Sequence, residues 1–89
     1  MIIYNVTINI DESVHDEWLN WMQTKHIQDV LNTGCFTSAR LVKVLVDEDM
    51  GGVTYSAQYF APSKEALADY KENHAPLLRN EKSIWVSIF

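Results

Sequence analysis

One cysteine, two prolines and three glycines are all that this 89-residue chain holds of each, and each scarcity removes a class of answer. A lone Cys35 excludes an internal disulfide, so a reducing, cytoplasmic compartment is expected. The few breakers mark boundaries: Gly34 stops a helical pattern, Gly51 and Gly52 suit a hairpin turn, and Pro62 and Pro76 open and interrupt a second helical pattern. No stretch approaches the roughly 20 apolar residues that cross a membrane. The opening residues lack the basic start and continuous apolar core of a secretory signal. Positive charge is scarce too. Seven Lys and Arg stand against twelve acids, for a formal charge of −5, and they are scattered rather than striped. A nucleic-acid partner, which needs a basic face to displace counterions, and an anionic membrane surface are therefore not expected.

What is present is apolar and aromatic: 47% and 11% of residues. That composition describes a globular chain, read as a single domain over 1–89. At this length folding buries only about 60–65% of the unfolded surface, so self-association would add stability.

The helix expected over 14–26 carries the strongest pattern. At about 100° per residue, Trp21, Val14, Lys25, Trp18, Met22, His15, His26 and Leu19 share one arc of roughly 160°. Asp16, Glu17, Asn20, Gln23 and Thr24 fill the other side, so the helix turns its aromatic face to a core. Asp11 and Ser13 offer N-caps, and 27–32 allows a further helical turn.

Strands flank it. Residues 2–10 alternate, with Ile2, Tyr4, Val6, Ile8 and Ile10 opposite Ile3, Asn5, Thr7 and Asn9. A second strand is expected over 35–46, an acidic hairpin loop over 47–52, a third strand over 53–60 and a last one over 84–89. Between these, Ala66, Leu67, Tyr70 and His74 form the inner stripe of the second helix. The order β-α-β-β-α-β predicts an α+β, ferredoxin-like domain: a four-stranded antiparallel sheet with both helices on one face. The opposite sheet face carries Asn5, Thr7 and Asn9 beside Thr54, Ser56 and Gln58, with no charge among them. A wet sheet face usually recruits Lys and Glu, so this one is expected to meet an identical subunit.

Several phrases are familiar as a set: Met1-Ile2-Ile3-Tyr4-Asn5-Val6-Thr7, Glu17-Trp18-Leu19-Asn20-Trp21-Met22, Lys25-His26-Ile27-Gln28-Asp29-Val30, Gly51-Gly52-Val53-Thr54-Tyr55-Ser56-Ala57-Gln58-Tyr59-Phe60 and Asn73-His74-Ala75-Pro76. Together they resemble the bacterial domain-of-unknown-function 4286 family, over most of the chain to about Arg79. The resemblance implies the dimeric α/β-barrel group, in which two ferredoxin-like sheets pack face to face. That group holds cofactor-free monooxygenases, isomerases and haem proteins, so it implies architecture and not chemistry.

Among candidate site residues, His26 ranks first. It ends the tryptophan helix, and Asp29, three residues on, is placed to orient its ring, which is half of a general-base arrangement. Trp18, Met22, Tyr59, Arg40 and His74 are expected to line a pocket for a small, partly aromatic molecule. Arg40, on a largely apolar strand, calls for a water-filled space or an anionic partner, either an acid across the dimer or a ligand carboxylate. If the domain is catalytic, His26 is the general base for cofactor-free oxygenation or isomerisation; the contrary reading is a non-catalytic dimerisation or partner-binding module. His15 is read as a surface residue and Cys35 as a buried, inert thiol. No cofactor or metal is expected. His15 and His26 lie about 16 Å apart along a helix, and the hairpin acids lack the Glu a calcium loop needs at its twelfth place, which is Gln58 here.

Overall fold

The alternation in the first strand is realised directly. In the computed structural model, which describes residues 1–45 and 51–82, β1 (Ile2–Ile10) turns its even-numbered residues toward the helices and leaves the odd ones exposed. It pairs antiparallel with β3 (Val53–Ala61), Val6 opposite Ala57 and Thr7 opposite Ser56. On its other side β3 pairs antiparallel with β2 (Ser38–Val44), Leu41 opposite Ala57 and Arg40 opposite Gln58. The sheet order is β1-β3-β2, so the parallel pair β1 and β2 is split by β3. β2 is shorter at its start than the expected 35–46, because Cys35 and Phe36 turn into the core before the ladder begins.

The sheet is where the expected architecture needs correcting. Among the described residues it has three strands, not four. The expected strand over 84–89 lies outside the described residues, as do residue 46, the expected end of the second strand, and residues 47–50 of the acidic loop. The described residues are thus α+β, with a three-stranded antiparallel sheet and two helical arms. The second arm also runs further than Pro76 suggested. It comprises α3 (Lys64–Asp69), a π-helical turn over Tyr70–His74 and α4 (Ala75–Lys82). Proline lacks the donor that a helix interior uses and its ring crowds the carbonyl four residues back. The wide turn just before Pro76, in which the Ala75 N–H reaches the Tyr70 carbonyl, meets both demands, and the helix continues. Ser63 caps its start, its Oγ accepting from the Ala66 N–H at 3.1 Å.

The first arm has the same build: α1 (His15–Trp21), a π-helical turn over Met22–His26 and α2 (Ile27–Leu31). Asp11 accepts hydrogen bonds from the Ser13 N–H and hydroxyl at 2.8 and 2.6 Å, which holds its carboxyl below the usual range and caps a short 3₁₀ turn ahead of α1. The wide turn has no proline or glycine to cause it. What it serves is a stripe of four buried residues at four-residue spacing, Trp18, Met22, His26 and Val30. In a regular α-helix three such steps would drift by about 120°; a wider turn in the middle removes part of that drift and keeps the stripe on the sheet.

Beneath the helices, Ala57 and Ala61 on the central strand leave room for large rings on both sides. At one end Tyr4, Phe36, Tyr59 and Tyr70 form an aromatic cluster, with Phe36 and Tyr70 edge to face at 4.8 Å. At the other, Trp18 packs on Tyr55 at 5.1 Å. At the sheet edge Gly52 takes φ +84°, and a Cβ there would meet Asn9 Oδ1 at 2.6 Å and the Ile10 carbonyl oxygen at 2.9 Å, so only glycine fits.

Trp18 is fully buried at the centre of the helix–sheet contact. Trp18→Ala is expected to lower the unfolding free energy by about 3–5 kcal/mol, measured by urea denaturation; a midpoint close to that of the parent would show that the ring does not anchor the core.

Candidate functional site

A cavity of about 400 Å³ lies between β1 and the first helical arm. Residues 6–9 form its strand wall and Trp18, Trp21 and Met22 its helix wall. Four consecutive strand residues can line one space only if it reaches round the strand's edge, since Val6 and Ile8 point to the helices while Thr7 and Asn9 point away. Among the described residues β1 pairs on its other edge alone. The walls are therefore mostly apolar, with Thr7 and Asn9 as a polar rim. Such a lining, with few polar groups, is the usual make-up of a small-molecule pocket, and the volume falls within the usual range.

Two tryptophans give the helix wall its character. Trp21 is half-buried and stacks on His26, with ring centroids 4.7 Å apart and planes 18° from parallel. The π turn makes this pair possible, since residues five apart do not share a face in a regular α-helix. Trp18 carries the more telling feature: its Nε1 is buried and has no hydrogen-bond partner. An indole N–H in that state costs about 1–3 kcal/mol relative to a satisfied one.

Of the residues expected to form one pocket, the structure brings together only two. Trp18 and Met22 line the cavity. His26 is 1% exposed and stands behind Trp21 rather than in the cavity wall. Asp29 pairs with Lys25, at 3.0 Å between carboxylate and ammonium. Tyr59 lies in the aromatic cluster with Phe36 and Tyr4, and burial pushes its phenol well above the ordinary value. Arg40 is on the sheet face away from the helices, where its Nε and Nη2 donate to Gln58 Oε1 at 3.1 and 2.6 Å and its guanidinium lies over Phe60. The cation is thus exposed and held by a neutral amide rather than by an acid. The β1 edge is a wall that the sequence does not signal, because the pairing of the sheet decides which strand edge faces a cavity. His15, expected at the surface, has its Nε2 2.7 Å from the Tyr55 hydroxyl and stacks on that ring.

His74 belongs to a second cluster that the sequence reading missed. Its Nε2 is 3.6 Å from Asp69 Oδ2, and the buried Cys35 thiol donates to the same oxygen at 3.3 Å. The three ligand-capable atoms lie within 4.8 Å of one another. Cys35 reaches this position from the other helical arm: Gly34 adopts φ +80° after α2, and Thr33 then accepts the Cys35 N–H through its Oγ1 at 3.3 Å. Asn73 donates to Asp69 Oδ1 at 2.6 Å, which fixes the carboxylate. That bond and the one from Cys35 hold the Asp69 carboxyl below its usual range, while burial pushes the Cys35 thiol up. Cys35 is buried, as expected, and its partner is distant rather than local. Asp69 lies 34 residues away, and no local spacing signals it.

The model for the domain of unknown function DUF4286 matches residues 1–84. The chain belongs to that family. No curated protein and no solved structure matches it. The match runs past the last phrase that carries the resemblance, into the end of the second arm. No helix of the described part of this DUF4286 chain is long and apolar enough to cross a membrane. The family's description assigns no activity, so the chemistry rests on the two clusters.

Cys35 is 4% exposed and its thiol is held protonated by burial. Its alkylation by iodoacetamide at neutral pH is expected to be at least roughly tenfold slower in the folded chain than in the denatured one, followed by mass spectrometry; equal rates would show an accessible thiolate.

Proposed function

We propose that this DUF4286 domain binds a small, largely apolar and partly aromatic molecule in the cavity beside β1, through a hydrogen-bond acceptor on the ligand that meets the indole N–H of Trp18. Two observations support this reading: Trp18 lines a cavity of about 400 Å³, and its buried Nε1 has no hydrogen-bond partner. A bare indole donor favours a carbonyl or carboxylate oxygen, because an acceptor restores the hydrogen bond that burial removed. The faces of Trp18 and Trp21 favour a flat ring. His26 then serves as the backing of Trp21. A general base must reach the proton it takes, directly or through one water, and His26 is buried and does not line the cavity, so the reading is of binding rather than acid–base turnover.

The binding test uses salicylate and indole-3-carboxylate as probes, with tryptophan quenching and thermal shift as readouts. Both probes are expected to raise the melting temperature of the parent chain. Trp18→Phe keeps an aromatic ring and removes the donor, so the affinity is expected to fall about tenfold, the equivalent of one net hydrogen bond of about 1.4 kcal/mol. Equal affinity in parent and variant would refute the proposed contact.

The second element of the proposal is self-association through the open sheet face. What supports it is the make-up of that face: a hydrogen-bonded ladder in which Ser56 donates to Asn5, Asn5 to Thr7 at 3.2 Å and Gln58 to Ser56 at 3.3 Å. Half-buried Phe60, Val42 and Val44 lie on the same face, as does Ile3, 55% exposed. A ladder already satisfied within the sheet can be covered by a second copy without stranding donors. Light scattering is expected to return twice the 10.3 kDa chain mass. Thr7→Asp is expected to shift the chain toward monomer and Asn20→Asp to leave it unchanged; a parent chain that stays monomeric at millimolar concentration contradicts the dimer.

A further inference from the structure

We infer that Cys35, Asp69 and His74 form a binding site for a transition-metal dication of the zinc class, separate from the cavity. Three features of geometry carry this. The first is spacing. Bonds of about 2.0–2.3 Å in tetrahedral geometry set the donor atoms about 3.3–3.6 Å apart. Asp69 Oδ2 lies 3.3 Å from Cys35 Sγ and 3.6 Å from His74 Nε2, with all three atoms inside 4.8 Å. The second is donor chemistry. A thiol, an imidazole and a carboxylate are the ligand types zinc takes, whereas calcium and magnesium take oxygen alone. The third is support. Asn73 fixes the carboxylate through its far oxygen, and Thr33 fixes the backbone of Cys35, which is the outer-shell bracing that metal ligands carry.

Access completes the argument. The Asp69 and His74 side chains are 51% and 32% exposed, while Cys35 closes the inner side. A cation can therefore arrive from solvent and meet the sulfur last, and water can take a fourth position on the open side. Binding exchanges one proton. The S–H bond that now points at Asp69 breaks, a metal–sulfur bond forms, and the proton leaves to buffer. No oxidant or reductant is involved. Thiolate and carboxylate then supply two negative charges against the dication. The π turn is what makes the site. Asp69 and His74 stand five apart, on different faces of a regular helix, and the wide turn over Tyr70–His74 brings them to one side, toward Cys35.

Cobalt(II) is the probe, added to the full chain without a histidine tag. One equivalent is expected to bind with thiolate-to-metal charge-transfer absorption in the near ultraviolet and tetrahedral visible bands, and zinc(II) is expected to displace it. Cys35→Ser is expected to abolish the charge-transfer band. His74→Gln and Asp69→Asn change exposed side chains and preserve the fold, checked by circular dichroism; each is expected to weaken cobalt binding at least 10- to 100-fold, the loss that even outer-shell changes cause. Absence of the charge-transfer band at millimolar cobalt overturns the proposal, as does unchanged affinity in both exposed variants. These readouts ignore the cavity, so their failure and that of the proposed ligand binding are told apart.

Discussion

The widened turn in each helical arm is the constraint on which most of this structure depends. In the first arm it holds Trp18, Met22, His26 and Val30 along one line against the sheet and brings Trp21 onto His26. In the second it lets the helix pass Pro76 and brings His74 beside Asp69. Both turns close on a histidine, and in both the histidine meets the residue five before it. Wide turns of this kind sacrifice regular hydrogen bonding and so concentrate at places where a side chain has to be re-aimed. Here the re-aimed side chains form the back of a cavity wall and the edge of a three-ligand cluster.

The two clusters differ in what they ask of a ligand. The cavity beside β1 is mostly apolar, and Trp18 in its lining has a buried donor with nothing to bond; it suits a flat molecule with an acceptor oxygen. The Cys35 cluster is polar, half-open and acceptor-rich, and suits a cation. Nothing in the packing forces them to act together. They share no residue: the cavity is lined by β1 and the first arm, while the cluster joins Cys35 to Asp69 and His74 of the second.

Much of the frame was legible from the residues. The alternation of 2–10 and 53–60 set both strands and their inner faces, because a period of two leaves one choice once the apolar side is known. The helical arc of 14–26 named Trp18 and Met22 as core residues, and both are. The uncharged face of β1 and β3 was equally plain. Pro76 misled, since a proline signals a helix break by its local chemistry, and only the wide turn ahead of it shows that the break is avoided.

Sequence alone determined the inner faces of β1 and β3, their uncharged outer face and the burial of Trp18 and Met22, since each follows from the period of side chains along one element. Which residues share a site was decided by the tertiary structure. Arg40 and Trp18 were grouped as ligand-binding residues, yet they lie on opposite faces of the sheet, because strand register assigns faces that composition cannot. Cys35, Asp69 and His74 were read apart, yet they converge, because a left-handed glycine and a π turn each rotate a side chain through an angle that no helical or strand period encodes.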